Sequence, residues 1–126
     1  MLGDATVYTT IAVRDVQLSK EFYEDKLGLK QISEDPSGVL YESGDGKLYI
    51  YQSPTAGSSK ATSAAWQVDD IDQVASDLQL AGVVFDVYDI PGAEVDGYIY
   101  TMGRQKAAWF KDPDGNILSI GSLIDR

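Results

Sequence analysis

The chain has no cysteine and no histidine in 126 residues. Without cysteine there is no disulfide, no thiolate nucleophile and no sulfur ligand, a composition that fits a cytoplasmic protein. Without histidine the commonest general base and the commonest transition-metal ligand are missing, and no Ser–His or Cys–His catalytic pair can be built. Metal sites open to such a chain use oxygen alone and favour hard ions such as magnesium or calcium. Cations are also scarce: ten Lys and Arg stand against twenty Asp and Glu, for a net charge of −10. That balance opposes binding to nucleic acid or an anionic membrane and is compatible with a cationic ligand. No apolar run approaches the length of a membrane span. Met1-Leu2-Gly3-Asp4 has neither the basic region nor the apolar stretch of a secretory signal, so a cytoplasmic location is expected.

What is present is globular: 44% hydrophobic and 10% aromatic residues, in a length that makes one domain. Residues 6–13 alternate as a strand, with Val7, Ile11 and Val13 on one face and Thr6, Tyr8, Thr10 and Ala12 on the other. Asp15 then stands at a helix N-cap, and residues 16–27 place Leu18, Phe22, Tyr23 and Leu27 on one helix face before Gly28. Short strands are expected at 29–33, 39–42 and 47–52, separated by Asp35-Pro36-Ser37-Gly38 and Ser43-Gly44-Asp45-Gly46. Residues 53–60 are small and polar and read as a linker.

The plan then repeats. Residues 63–71 match residues 8–16 at a constant offset of 55, with Asp70 and Gln73 forming a capping box for a second helix. Val74, Leu78 and Ala81 are expected on its inner face. Strands are expected at 83–88, 97–102, 106–111 and 116–121. Leu48-Tyr49-Ile50 matches Leu118-Ser119-Ile120 at an offset of 70, which puts about 15 extra residues into 90–105 of the second half. That insert reads as a flap or a long hairpin, in which Glu94 and Asp96 are natural contacts for a cation. Asp112-Pro113-Asp114-Gly115-Asn116 lacks the alternating carboxylates of a calcium loop and reads as a turn.

Val13-Arg14-Asp15, followed by Phe22-Tyr23 and Leu27-Gly28-Leu29, together with the repeat and Asp112–Asn116, resembles the vicinal-oxygen-chelate superfamily of glyoxalases, bleomycin-resistance proteins and extradiol dioxygenases. The resemblance implies an α+β fold of two βαβββ modules, at about 5–53 and about 61–122, whose sheets curl around a cup. In metal-bearing members the first and fourth strands of each module carry the ligands. Carried over, those positions are Tyr8, Tyr49, Ser63 and Ser119. Neutral phenol and hydroxyl groups replace the usual His, Gln or Glu, so neither a metal nor another cofactor is expected.

Strand parity and the resemblance together nominate Tyr8, Tyr49, Tyr51, Ser63, Gln67 and Ser119 as ligand-binding residues; Tyr98 of the insert and Trp109, whose parity is ambiguous between lining the pocket and closing its edge, join them, with no catalytic residue in the set. The expected function is metal-free binding of a small aromatic or cationic molecule, as in the bleomycin-resistance branch, by a homodimer. Two other readings stay open: an enzyme of the lyase, isomerase or dioxygenase type, and an interaction module whose cup is filled by its own side chains.

Overall fold

A computed structural model describes residues 1–123. After a single 3-10 turn at Leu2–Asp4, the elements run β1 (Thr9–Val13), α1 (Val16–Lys20, continuing as a π-helical segment Glu21–Lys26), β2 (Lys30–Asp35), β3 (Gly38–Ser43) and β4 (Gly46–Gln52). The second half runs β5 (Thr62–Gln67), α2 (Ile71–Leu80), β6 (Phe85–Asp86), β7 (Glu94–Asp96), β8 (Ile99–Met102), β9 (Gln105–Lys111) and β10 (Ile117–Leu123). Sheet one has the order β1-β4-β3-β2; sheet two has the order β5-β10-β9-β8-β7, with β6 also paired to β9. The fold is mixed α+β in two curled open sheets.

The internal repeat is visible in the hydrogen-bond registers. In sheet one the parallel pair β1–β4 sets Thr10 against Tyr49 and Ile11 against Ile50. In sheet two the parallel pair β5–β10 sets Ala65 against Ser119 and Trp66 against Ile120. These positions are related by the same offsets of 55 and 70 that relate the sequences.

One core joins the halves. Ile11, Val13, Val39, Tyr41, Leu48 and Ile50 from sheet one meet Ala64, Ala108, Phe110, Leu118 and Ile120 from sheet two, beneath Phe22 and Tyr23 of α1 and Ile71 and Ala75 of α2. Alternation along each strand sends these residues inward and leaves the other face of each sheet for polar or functional groups.

Three local expectations change. The first strand begins at Thr9, because its ladder with β4 starts at Thr9–Leu48, near the point where β4 emerges from its turn with β3; Val7 and Tyr8 lie outside it and are exposed. In α1 the inner face is Ser19, Phe22 and Tyr23, while Leu18 points to solvent. The π-helical turn, closed by Leu27 N–H donating to the Phe22 carbonyl at 3.0 Å, lets two adjacent aromatics enter the core together. In α2, Ile71 and Ala75 are buried and Val74 and Leu78 are half-buried, so the inward stripe is rotated from the expected one. Asp15 and Asp70 cap as expected, accepting from Gln17 and Leu18 and from Gln73 respectively. The insert is a hairpin, β7–β8, that continues sheet two along β9.

The Asp-Pro-Asp-Gly-Asn turn ties the chain together. Asp112, 5% exposed, accepts from Tyr23 Oη at 2.7 Å, from Asn116 N and Nδ2 at 2.9 and 2.8 Å, and from Asp114 N at 2.9 Å. Asn116 Nδ2 also donates to the Ala12 carbonyl, and its Oδ1 accepts from Gly57 N. Gly57 has φ +73° and sits so close to the Asp114 carbonyl that a Cβ would lie 1.9 Å from its oxygen. The turn thereby fastens β1, α1 and the linker to the β9–β10 hairpin. Burial, and then the negative charge of Asp112, push the Tyr23 phenol far above its ordinary range, so it stays a donor.

Candidate ligand-binding site

The outward face of sheet two is hollow because its central residues are small. Ala65 of β5, Ser119 and Gly121 of β10 and Ala107 of β9 stand side by side in the ladder and form a floor. Larger side chains rise around them: Gln67 from β5, Met102 from β8, and Gln105 and Trp109 from β9. The cavity they enclose is about 310 Å³, at the lower end of the usual range for small-molecule sites.

Trp109 is held in place on three sides. Its Nε1–H donates to Thr62 Oγ1 at 3.3 Å. Tyr88 and Tyr100 meet its ring edge-on, with centroids 5.9 and 5.5 Å away. Tyr100 is buried and donates from Oη to the Tyr88 carbonyl at 2.6 Å, which locks the two tyrosines behind the indole. The β7–β8 hairpin therefore serves the site by supplying Tyr100 and Met102. Burial and then the nearby Asp86 carboxylate raise the Tyr88 phenol above its ordinary value, while Lys111 opposes the shift.

Of the residues nominated from sequence, Gln67, Trp109 and Ser119 line this hollow. Ser63 is half-buried at a bulge: the β5–β10 register passes from Thr62–Ile117 to Ala64–Leu118 and skips it, so Thr62 takes the position on the cavity face. Tyr49 and Tyr51 lie on the corresponding face of sheet one, their rings stacked at 6.2 Å. Tyr49 Oη is 3.1 Å from Ser37 Oγ, and its ring covers Gly38, where a Cβ would come within 2.8 Å of it. Tyr8 precedes β1 and is 49% exposed. Tyr98 lies on the helix side, stacked on Phe85 at 4.4 Å and donating to Gln79 Oε1 of α2 at 3.0 Å. Glu94 and Asp96 are exposed on β7, outside the lining.

Sequence reasoning missed Thr62, Ala65, Met102, Gln105 and Ala107. Parity from Trp109 reaches Ala107 and Gln105, and parity from Gln67 reaches Ala65. The bulge hid Thr62, and the pairing of the insert hairpin with β9, which brings Met102 to the hollow, was not legible in sequence.

With this geometry in view, the comparisons fix the class. The Glyoxalase/Bleomycin resistance protein/Dioxygenase superfamily model matches residues 6–120, and the chain belongs to that superfamily. Among solved structures it is similar to a glyoxalase family protein from Enterococcus faecalis, at 22% identity over 96% of this chain and 99% of that one, TM-score 0.72. It is similar also to a putative glyoxalase family protein from Bacillus anthracis, at 15% identity over 95% of both chains, TM-score 0.75. A third similar structure is a lactoylglutathione lyase from Agrobacterium tumefaciens, at 15% identity over 94% of this chain and 93% of that one, TM-score 0.71. These likenesses concern the fold. A comparison with curated proteins finds no match.

Metal chemistry in this superfamily needs anionic or imidazole donors, and the residues here do not fit it. The four positions implied by the resemblance carry two phenols and two hydroxyls, on different sheets and in part outside the strands. Among the described residues no group of three or more Asp, Glu, His or Cys comes together. The hollow itself is lined by amides, hydroxyls, a thioether, the indoles of Trp109 and Trp66 and small or aliphatic residues, with no titratable group among them. Such a surface can stack a ring and hydrogen-bond its edge; it offers no acid or base for proton transfer at neutral pH.

Proposed function

We propose that this protein binds and sequesters a flat, ring-containing small molecule in the sheet-two hollow without transforming it, as a resistance-type member of its superfamily does. The observation that carries this reading is the lining: Trp109 held on edge, two amides and two hydroxyls around a floor of small residues, and nothing ionisable. In the proposed complex the ligand stacks on Trp109 and takes hydrogen bonds from Gln67, Gln105 and Ser119. The net charge of −10 raises the local concentration of cations, so an aromatic cation, such as a natural product, is the favoured ligand class.

The reading includes two further proposals. The chain acts in the cytoplasm, where a protein without cysteine needs no oxidising partner. It works as a homodimer in which the Tyr49–Tyr51 face of sheet one and the sheet-two hollow come from different copies.

Titration with proflavine, a flat aromatic cation, tests the proposal. One saturable site that quenches Trp109 emission and is lost in Trp109→Ala supports it. Absence of binding, or unchanged affinity in Trp109→Ala, overturns the site. One metal ion per chain in elemental analysis overturns the metal-free reading and brings the enzyme reading forward.

A further inference from the structure

A larger cleft lies against the other face of sheet two, between the two halves, with Trp66 and Ile120 bordering both it and the hollow. It encloses about 520 Å³. Its floor is Phe110 and Ile120, both almost fully buried. Leu27, Leu29, Val68, Val74, Leu78 and Trp66 form its walls, and each packs against the core while remaining half-buried. Six large apolar side chains that converge and yet stay partly open are unusual, because a chain left to itself covers such surface. The cause here is geometric. The helical segment stops at Lys26, short of Gly28, and the Val74–Leu78 edge of α2 stays half-buried, so neither helix covers the junction.

The mouth is polar and electrically balanced. Lys30 and Glu42 face each other across the β2–β3 ladder at the rim, and Ser43 beside them accepts from Trp66 Nε1 at 3.0 Å. Opposite charges at one rim favour neither an anion nor a cation, but offer a donor and an acceptor together. The volume falls within the range of small-molecule sites, and an apolar body with a polar edge matches how such sites are lined.

We propose that this cleft is a second ligand site, distinct from the sheet-two hollow, which takes a neutral ring-containing molecule with one polar end. The rings lie between Trp66 and the Val74–Leu78 edge of α2, and the polar end meets Lys30 and Glu42.

The test is a titration of the full chain with 2-naphthol, followed by the indole N–H signals of its two tryptophans in a proton–nitrogen correlation spectrum. Trp66→Phe and Trp109→Phe assign the signals. A saturable shift of the Trp66 signal, weakened roughly tenfold or more in Val74→Phe/Leu78→Phe, supports the site. Leu78→Phe alone replaces the double variant if the latter loses its dispersed spectrum. An unmoved Trp66 signal overturns the proposal, as does a shift that survives filling of the cleft with an unchanged midpoint. A Trp66 shift that depends on protein concentration without 2-naphthol also overturns it, since a second copy then covers the cleft. Trp66 borders both cavities and Trp109 only the hollow, so a Trp66 shift belongs to the cleft when Val74→Phe/Leu78→Phe weakens it and Trp109→Phe does not, and either site can fail alone.

Discussion

At the scale of single residues, Asp112 does the most structural work of any carboxylate described here. It is buried with no cation paired to it among the described residues, and four donors compensate it: a phenol, two backbone amides and a side-chain amide. Charge-assisted bonds of this kind are the strong ones, and each buried donor left unpaired costs about 1–3 kcal/mol. Tyr23→Phe removes one bond and leaves the carboxylate three others, so its expected cost is about 1–3 kcal/mol. Asp112→Ala leaves several donors unpaired at once and is expected to cost about 3 kcal/mol or more. Urea unfolding of both variants checks the order; an Asp112→Ala protein as stable as Tyr23→Phe contradicts it. The motif was legible in sequence as a turn. Its role as a fastener was not, because Tyr23 lies 89 positions away and the partners are set by packing.

At the scale of elements, α1 is tied to the edge strand β2 by Lys20 Nζ donating to Glu34 Oε1 at 2.8 Å, with Gln17 Nε2 adding a bond to Oε2. The Lys20 hydrogen bond, and then that of Gln17, hold the Glu34 carboxyl below its usual range, and the bond to Glu34 holds Lys20 above its own. Glu34 therefore contributes stability above the ordinary glutamate range and loses it as pH falls through the lowered value. Lys20 contributes below the ordinary lysine range and loses it as pH rises through the raised one. The tie is thus complete at neutral pH and weakens at both extremes. In Glu34→Gln the melting temperature is expected to fall slightly below that of the parent near neutrality and to converge with it in acid. A constant gap at all pH values excludes the linkage. Most strands, the helix positions and both N-caps were readable locally, because alternation and Asp caps act over a few residues; the short strand β7 was not. The rotated faces of α1 and α2 were not, since a π-helical turn and the burial of Ile71 and Ala75 answer to what packs against them.

At the scale of the whole molecule, charge and architecture act separately. Twenty carboxylates against ten cations set a long-range field, whereas neither cavity lining carries a net charge. Proflavine binding is therefore expected to weaken as salt shortens the Debye length from ~30 Å to ~3 Å, while 2-naphthol binding stays constant. Equal salt dependence for the two probes would place a charged group inside the hollow. The single core shared by both sheets also means that the two halves unfold together, with Phe22 of α1 against Phe110 of β9 at 6.4 Å linking them.

The sequence by itself determined the doubled βαβββ plan, the two offsets that relate its halves, and a chemistry without thiol or imidazole. These follow from alternation, capping and composition, which need no knowledge of distant contacts. Only the tertiary structure decided which nominated residues meet. A one-residue bulge at Ser63 turned Thr62 toward the cavity, the β7–β8 hairpin brought Met102 and Tyr100 to Trp109, and the junction of the halves left a cleft beside Trp66. Each depends on pairing between segments far apart in the chain, where a shift of one residue reverses the face a side chain presents.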